Sequence, residues 1–539
     1  MTATLLRGGV VYSPADPFAT AMVVEGDRVA WVGADAAADA MVGPGIAVHD
    51  LDGALVTPAF VDAHVHLTDT GLAATGVDLT GVPSAASLLD RVAAHARRHP
   101  AGPVLGHGWD ETSWPDEPPS RDRLDRAAGG LPVYLSRVDV HSALVSSALL
   151  AMVPDLAGSD GYSPTGPVRG EANRRARRAS RDTLDPSRRQ ALQAAALEAA
   201  AAQGIGQVHE MAAPHVAGAD DLALLLRWTA QAATVPRVVG YWGELHGVDR
   251  ARDIGARGCA GDLCLDGSLG SRTAAVSGGY ADLPGTVGSL DIGLEEATAH
   301  VVACTQAGLQ AGFHCIGDVA VRTAVEALEA AAGRSGPAPG PVRHRLEHVE
   351  MVDADLGGRL AALGVTASVQ PAFDAAWGGE HGMYARRLGA SRAVTLNPFA
   401  TLSRAGVGLA LGSDSPVTPL DPWAAVRAAA NHHTPGERLT VRGAFSAHTR
   451  GGWRAAGLDS GGVLVPGAPA DYAVWQVDGD LVVQTPDDRV AAWSTDPRAG
   501  VPGLPDLDAS PLCLRTVVAG RTIFDRSGGR HAEGPDTPG

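Results

Sequence analysis

Two histidines near a predicted buried strand have the spacing of a metal-binding pair. His64 and His66 come shortly after the apolar run LVTPAFV. Side chains two residues apart on a strand point to the same side, so both imidazoles can reach one ion. Imidazole suits zinc and similar divalent ions. The pair therefore predicts half of a metal site, the alternative being two core or surface histidines.

Three further polar residues end apolar runs in the second half of the chain. His314 follows LQAGF, His348 ends VRHRLEH and Asp414 follows GVGLALGS. The two histidines are one strand–helix unit apart, and Asp414 comes about two units later. In a closed barrel such strand ends converge on the face that carries active sites. Each residue alone is compatible with an ordinary core or surface position, but together they predict one metal site with a position open for water.

The elements that position these residues change in type along the chain. Short β-type runs with glycine turns fill residues 4–58, and longer helical stretches separate the strands from Phe60 onwards. The second pattern is typical of a parallel sheet built from strand–helix units. After a first strand ending at His64 and His66, we assign the remaining barrel strands to LPVYLSRV, GQVHEM, DLCLDG, LQAGFH, VRHRLEH, VTASVQ and GVGLALGSDSP.

Composition limits the classes of partner. The formal net charge of −17 and the pI near 5.5 argue against nucleic acid and anionic membranes, because both attract clustered positive charge. The five cysteines lack CxxC spacing, which argues against a disulfide framework and a thiolate zinc site. No window has the apolar length of a membrane span or a signal sequence. We expect a cytoplasmic protein with a small-molecule substrate, and a homodimer is kept as an alternative to the monomer.

Several motifs resemble those of one enzyme family. DAHVHL, FHCIGD, RHRLEHVE, SVQP and LGSDSPV are similar to the amidohydrolase superfamily, and GWD, DVHSALVSSALL and LDGSLGSRTA point to its YtcJ-like branch, amidohydrolase family 3. The resemblance implies a distorted (β/α)8 barrel of the TIM type with a small β-sandwich formed by both chain ends. The predicted divisions are residues 1–58 and 446–539 for the two parts of the sandwich with the C-terminal tail, and 59–445 for the barrel with its inserted loops.

The resemblance also implies a divalent metal at the barrel mouth, with zinc expected first and manganese or iron as alternatives. The family's metal positions fall on His64, His66, His314, His348 and Asp414. Asp414 is the expected catalytic base. His348 is expected either to bind a second metal or to lie near the developing oxyanion.

One departure from the family concerns the bridge between two metals. Many relatives use a carboxylated lysine there, but every basic residue of this chain is arginine. Asp262 occupies the corresponding place and is a candidate extra ligand, Glu210 is a less favoured one, and an ordinary loop charge is the alternative. Because an aspartate is shorter than a carboxylated lysine, we expect about one metal per chain, held by His64, His66, His314 and Asp414.

Substrate contacts are predicted from the loops. Asp266 and Arg272 belong to the loop DGSLGSRTA, which can hold a substrate oxygen or carboxylate through its backbone and its guanidinium. His141 lies in a histidine motif similar to one in the family, and Trp109 is placed near the entrance. The alternatives are a loop without a ligand role, a core histidine and a tryptophan packed under the loop.

Three functions compete at this stage. The first is metal-dependent hydrolysis of a non-peptide C–N bond in an amide, an N-formyl group or a cyclic amide. The second is deamination of an aminated ring, or a related reaction, on the same metal site. The third is a binding or scaffold protein without chemistry, which the presence of all five predicted ligands disfavours.

Overall fold

The computed structural model describes residues 3–335, 342–482 and 502–527. Eight parallel strands form one sheet whose order follows the chain. They are β1 (Phe60–Val65), β2 (Ile205–Ala212), β3 (Arg237–Trp242), β4 (Gly258–Cys259), β5 (Gln310–Cys315), β6 (Arg345–His348), β7 (Thr366–Val369) and β8 (Gly408–Leu411). The sheet closes where Asp414 N donates to His64 O at 2.8 Å and His66 N donates to Ser415 O at 3.0 Å. The predicted α/β barrel is confirmed.

Helices cover the outside of the barrel and connect its strands. They are Leu67–Thr75 and Pro186–Ala202 before β2, Ala219–Gln231 before β3, Val248–Ile254 before β4, Leu294–Gln306 before β5, Asp318–Arg334 before β6, Ala354–Ala362 before β7, and Pro371–Trp377, Met383–Leu388, Ala390–Ala393 and Phe399–Ala405 before β8. The helices Pro422–Ala430, Val441–Ser446 and Gly452–Ala455 follow β8, with a π-helical turn at Ala447–Gly451.

The alanine-rich helix before β2 shows why such segments form. Asp185 caps its first turn by accepting from Arg188 N at 2.9 Å, and Pro186 occupies the first helical position, where no backbone donor is needed. The chain leaves the helix through Gly204, whose φ of +74° favours glycine. Leu197 is fully buried against the barrel, and truncating such a leucine costs about 2–5 kcal/mol.

The prediction for the second barrel strand was wrong. Val133–Arg137 lies in a separate sheet of five strands, where it pairs antiparallel with Ser142–Val145. A connection of a few residues allows only antiparallel pairing, because a parallel neighbour needs a crossover of a dozen residues or more. The other strands of this inserted sheet are Val77–Asp78, Val104–Trp109 and Val168–Arg169, with the helices Ala85–Arg98, Arg121–Ala128, Ser147–Leu150 and Gly170–Asp182 around it.

This error shifts the count of the next strands. GQVHEM belongs to the second barrel strand, and the third is Arg237–Trp242, which the sequence analysis did not assign to the barrel. The fourth is Gly258–Cys259, just before DLCLDG, which contributes only an isolated bridge between Cys264 and His314. The predicted strands five to eight occupy their expected places.

Two further sheets form the predicted sandwich, the first from N-terminal strands alone and the second from strands of both chain ends. One contains Arg28–Gly33, Ala21–Glu25, Ala3–Arg7 and Ile46–Asp50, and the other contains Val10–Val11, Leu55–Pro58, Tyr472–Gln476, Leu512–Val518 and Arg521–Asp525. Leu6, Met22, Val56 and Val474 are buried in one cluster that joins the two sheets. The remaining strands, Leu481–Val482 and Leu504–Pro505, form a pair of their own. The division limits at residues 58 and 445 stay a prediction.

The run Leu55 to Val61 is broken into two strands. Leu55–Pro58 belongs to the sandwich, and Phe60–Val65 belongs to the barrel. A sandwich strand therefore leads directly into the strand that carries His64. Among the helices that the structure describes, none combines the length and apolarity needed to cross a membrane.

Candidate metal centre and active site

Two histidines and two aspartates meet at the carboxyl end of the barrel strands. His64 lies near the end of β1 and His66 directly follows it, while Asp262 follows β4 and Asp414 follows β8. The Nε2 atom of His64 lies 3.4 Å from Asp262 Oδ1 and 3.5 Å from Asp414 Oδ1. The Nε2 atom of His66 lies 3.4 Å from Asp262 Oδ2 and 3.1 Å from Asp414 Oδ1. We call these four residues the mouth cluster.

The outer contacts of the two imidazoles fix where their lone pairs point. His64 Nδ1 lies 2.9 Å from Glu347 Oε2, and His66 Nδ1 lies 3.1 Å from the carbonyl oxygen of Met211. Both partners only accept hydrogen bonds, so each Nδ1 carries a proton, and each Nε2 faces the mouth, where a second proton or a metal ion can occupy its lone pair. Such outer partners orient metal-binding histidines.

The inner atoms of the mouth cluster fit a cation. His64 Nε2, Asp262 Oδ1 and Asp414 Oδ1 are buried and have no hydrogen-bond partner among the described residues. Imidazole and carboxylate lone pairs that face one another in a buried space repel unless a proton or a metal ion lies between them. Two imidazoles with two carboxylates form a donor set that zinc and similar divalent ions accept.

The same electrostatics appears in the pKa values. Burial alone would lower the pKa of His64, but Asp414, Asp262 and Glu347 together hold it well above its usual value. Burial would raise the pKa of Asp262, but the imidazoles of His66 and His64 hold it well below its usual value. When no metal ion is bound, the carboxylates thus favour a proton on Nε2 of His64, and a divalent cation bound there would take the place of that proton.

Glu347 is itself held by a buried arginine. Arg345 donates to Glu347 Oε1 at 2.6 Å and to Oε2 at 2.9 Å, and both side chains are fully buried. The arginine holds the pKa of this carboxyl well below its usual range against the effect of burial. Glu347 therefore stays ionised and keeps the proton of His64 on Nδ1.

The other two predicted ligands lie beside the mouth cluster. The His348 ring is 4.9 Å from the His64 ring, and its Nδ1 lies 2.8 Å from Gln370 Oε1, which leaves Nε2 free. The His314 ring is 4.5 Å from the His348 ring, but its Nε2 lies 3.2 Å from Gly267 O. Ligand atoms come within 4.8 Å in two overlapping groups at the mouth, His64 with His66 and Asp414, and His64 with Asp262 and His348. His314 belongs to neither group.

Three of the non-glycine residues with positive φ lie at the same strand ends. His348 has φ of +70°, Val349 of +51° and Asp414 of +54°. Residues with side chains rarely adopt these values, and strained backbone is common where function fixes a side chain. The turns after β6 and β8 thus place His348 and Asp414 at a conformational cost.

Among the predicted substrate contacts, His141 lies at the site. Its ring is 5.1 Å from the His314 ring, and burial lowers its pKa to about 4. Nearby Asp139 accepts from the hydroxyls of Ser268 at 2.7 Å and Ser271 at 2.8 Å. The inserted sheet is thereby tied to the loop that follows β4, and His141 reaches the mouth from that insertion.

The other three predicted contacts have partners within the chain. Asp266 accepts from the backbone N–H groups of Ile316, Gly317 and Ala275, so it shapes its loop and does not face substrate. Arg272 donates twice to Asp282, at 3.1 and 2.7 Å. Trp109 is buried and donates to Leu135 O at 2.8 Å. Trp109 is therefore packed under the loop, which was the alternative to a place near the entrance.

Sequence reasoning missed several residues around the site. Glu347 and Arg345 lie within the motif RHRLEH, and the acidic residue next to His348 was the available signal. Asp69 binds Arg177 and Arg181 in a buried ion pair that no local pattern indicates. Glu210, the less favoured ligand, accepts from Leu67 N at 2.8 Å and lies outside the mouth groups.

Comparison with known proteins decides the family. A model of the amidohydrolase family matches residues 47–524, which is most of the chain. The chain belongs to the amidohydrolase family. It is 28% identical to Protein LONG AFTER FAR-RED 3 of Arabidopsis thaliana, with 87% of this chain and 86% of that one covered. It is 27% identical to the putative amidohydrolase YtcJ of Bacillus subtilis, with 79% and 85% covered, which supports the YtcJ-like branch.

Two further matches concern chemistry. The chain is 26% identical to the N-substituted formamide deformylase of Arthrobacter pascens, with 76% of this chain and 80% of that one covered. An uncharacterized metal-dependent hydrolase from Pyrococcus furiosus has a solved structure that superposes with a TM-score of 0.69 at 28% identity, with 88% and 98% covered. The amidohydrolase described here is therefore a metal-dependent hydrolase of C–N bonds.

Proposed function

We propose that this amidohydrolase hydrolyses a small N-substituted amide, N-formyl amine or cyclic amide at the mouth cluster, with zinc as its metal. The observation that carries the proposal is the set of unpartnered buried atoms His64 Nε2, Asp262 Oδ1 and Asp414 Oδ1. The N-substituted formamide deformylase of Arthrobacter pascens supports the substrate class by its name.

The ion would be held by His64, His66, Asp262 and Asp414. Bound there, a divalent ion acts as a Lewis acid on a carbonyl oxygen and lowers the pKa of water towards ~7. We favour a single ion because the two ligand groups at the mouth share His64 Nε2, and one lone pair binds one ion. The sequence predicted His314 as the fourth ligand, and the proposed set has Asp262 in its place.

Asp414 is the residue that we propose for proton transfer. Its carboxylate takes a proton from the attacking water and returns it to the leaving nitrogen, so that the amine departs neutral. With the Gln370 amide oriented so that its Oε1 accepts from Nδ1 of His348, the Nε2 lone pair of His348 can accept a hydrogen bond from the substrate N–H. This differs from the predicted place of His348 near the oxyanion, where a donor is needed.

Metal removal tests the proposal directly. Chelated protein is assayed against a panel of N-formyl amines, simple amides and lactams, and again after addition of zinc or manganese. We expect turnover to disappear with the metal and to return with it, and full turnover in metal-free protein would refute the proposal. Release of ammonia from an aminated ring would instead favour the deaminase alternative.

The state of the cysteines is the basis for the proposed cellular compartment. All five cysteines are unpaired in the structure, which supports a reducing environment such as the cytoplasm. Five alkylated cysteines per chain, counted by mass spectrometry in protein from cells lysed with an alkylating agent and no reductant, is the expected result, and a disulfide that escapes alkylation would contradict it.

A further inference from the structure

A large cavity lies at the bottom of the barrel, at the opposite end of the strands from the mouth cluster. Its volume is about 460 Å³, within the range of about 300–1,000 Å³ that is typical of small-molecule sites. Thr366, the first residue of β7, and Gly408, the first residue of β8, both line it. We call this space the bottom cavity.

The bottom cavity is separate from the site of hydrolysis. Asp414 lies six residues after Gly408, which corresponds to up to about 20 Å of extended chain. Active sites of this fold lie at the carboxyl ends of the strands, whereas the bottom cavity lies at their amino ends. A ligand held here would therefore bind together with the substrate and not in its place.

Three arginines give the bottom cavity a positive rim. Arg343, Arg450 and Arg454 line it, and among the residues that the structure describes no aspartate or glutamate does so. One carboxylate outside the lining, that of Asp459, accepts from Arg343 Nη2 at 2.8 Å and lies 3.7 Å from Arg454 Nε. Its pKa is lowered first by Arg343, and the charges of Arg454 and Arg450 add to this effect. One negative charge beside three positive ones leaves the rim suited to a further anion.

Apolar side chains form another part of the lining. Val365 and Val407 are buried, and Leu409 and Leu439 are partly buried where they line the cavity. Apolar surface that a ligand covers here leaves water, which favours binding. A cationic rim next to an apolar wall matches a molecule that has one charged end and a small apolar body.

We propose that the bottom cavity binds a small organic anion, a carboxylate or a phosphate monoester with an apolar body. Guanidinium groups pair with both kinds of oxyanion through parallel hydrogen bonds, so Arg450 and Arg454 hold the charged end together with Arg343. The apolar body lies against Val407 and Leu409. This site uses no residue of the mouth cluster and does not depend on which amide the enzyme hydrolyses.

Calorimetric titration of the purified wild-type chain tests the proposal. The probes are benzoate, phenyl phosphate and inorganic phosphate, with benzyl alcohol as the uncharged probe. We expect one benzoate or one phenyl phosphate per chain, bound at least tenfold tighter than inorganic phosphate, which lacks an apolar body, and than benzyl alcohol, which lacks a charge. The tighter of the two organic anions shows which oxyanion the rim prefers.

Variants locate the bound probe. Arg450→Gln combined with Arg454→Gln should weaken binding of the preferred probe at least tenfold, because each guanidinium supplies charge-assisted hydrogen bonds. The matched control, Arg97→Gln combined with Arg521→Gln, removes two exposed arginines elsewhere and should leave the affinity within about twofold of wild type. Ser403→Trp should abolish binding with all arginines present, because Ser403 lines the cavity and a tryptophan there would fill it.

Three results would overturn the proposal. Equal affinity in the two double variants would place the anion elsewhere, for example at the metal of the mouth cluster. Equal affinity of inorganic phosphate and the organic anions would remove the role of the apolar wall, and no binding of any probe would remove the site itself. If the first double variant does not fold, Arg450→Lys with Arg454→Lys keeps the charge but loses the paired hydrogen bonds, and an affinity unchanged from wild type would count against the arginine rim. None of these results depends on amide hydrolysis, so failure of the proposed function would leave this inference standing.

Discussion

The barrel contains two buried groups of metal-binding side chains, and their polar atoms are satisfied differently. One is the mouth cluster, and the other, which we call the wall cluster, consists of Cys259, His300 and Cys304. In the wall cluster His300 Nε2 lies 3.0 Å from Cys259 O, and Nδ1 accepts from His246 N at 3.1 Å. At the mouth, the Nε2 atoms of His64 and His66 instead face the carboxylates of Asp262 and Asp414, whose negative charge a cation would balance.

The comparison shows that closely spaced ligand side chains are a weaker sign of a metal site than unmet coordination, by which we mean ligand atoms that lack a partner within the protein. The ligand atoms of the wall cluster lie within 4.8 Å of one another, as do those of the two groups at the mouth, yet both nitrogens of His300 have partners within the protein. The hydrogen bond between the two thiols raises the pKa of Cys304 and lowers that of Cys259, so the absence of a free lone pair on His300 is what argues against a metal here. We expect metal at the mouth and none at the wall.

The largest expected effect follows from Asp414→Asn. The substitution removes a metal ligand and the proposed base together, so kcat should fall by about a thousandfold or more while the fold is kept. Steady-state kinetics with circular dichroism measures both. Asp459→Asn is the matched control, because Asp459 is exposed and pairs with Arg343 away from the mouth cluster. Near wild-type turnover of Asp414→Asn would mean that another carboxylate is the base.

Asp262→Ala tests how many ions the mouth holds. We expect about one divalent ion per wild-type chain by elemental analysis, and a loss of affinity of about a hundredfold in the variant, since even outer partners of ligands contribute ten- to a hundredfold. Two ions per chain that fall to one in Asp262→Ala would contradict this expectation. Asp262 would then be the bridge between two metals.

Much of the site was predictable because its residues end strands. His64, His66, His348 and Asp414 follow apolar runs of strand length, and the barrel brings such ends together whatever the intervening loops do. The wrong second strand had the same apolar pattern, and only its pairing partners, Val104–Trp109 and Ser142–Val145 of the inserted sheet, separate it from a barrel strand. Pairing partners cannot be read from one segment.

The residues that sequence reasoning misplaced depend on contacts between distant segments. Asp266 and Arg272 occupy a loop with the composition of a ligand-binding loop, but backbone amides of residues 316 and 317 and the carboxylate of Asp282 satisfy them. The carboxylate of Glu350 lies only two residues after His348, yet its apolar surroundings come from helices after β7. Such environments are set by tertiary packing.

Asp139 extends the comparison between the two clusters, because groups within the protein balance its buried charge. Burial would raise its pKa, but Arg137 and the hydroxyls of Ser268 and Ser271 lower it to about 2. A depressed carboxyl pKa stabilises the fold above about pH 4, and the contribution is lost as pH falls towards 2. Asp139→Asn should therefore lower the free energy of unfolding by about 2 kcal/mol at pH 7, and the difference should shrink below pH 4. Urea unfolding at several pH values measures this, and a difference independent of pH would contradict it.

The smallest expected effect concerns the wall cluster, where Cys304→Ala should leave catalysis and metal content unchanged. Cys304 is fully buried, and its Sγ lies 3.5 Å from His300 Nε2. Removing the sulfur should cost about 1 kcal/mol of stability, as for a small buried group. Because His300 keeps its bonds to Cys259 O and His246 N, the wall beside β4 should stay in place, and kcat should remain within about twofold of wild type. Elemental analysis measures the metal content and steady-state kinetics measures kcat, both on the same preparation. A variant that loses metal together with activity would show that the wall cluster binds an ion, and unmet coordination would then no longer separate the two clusters.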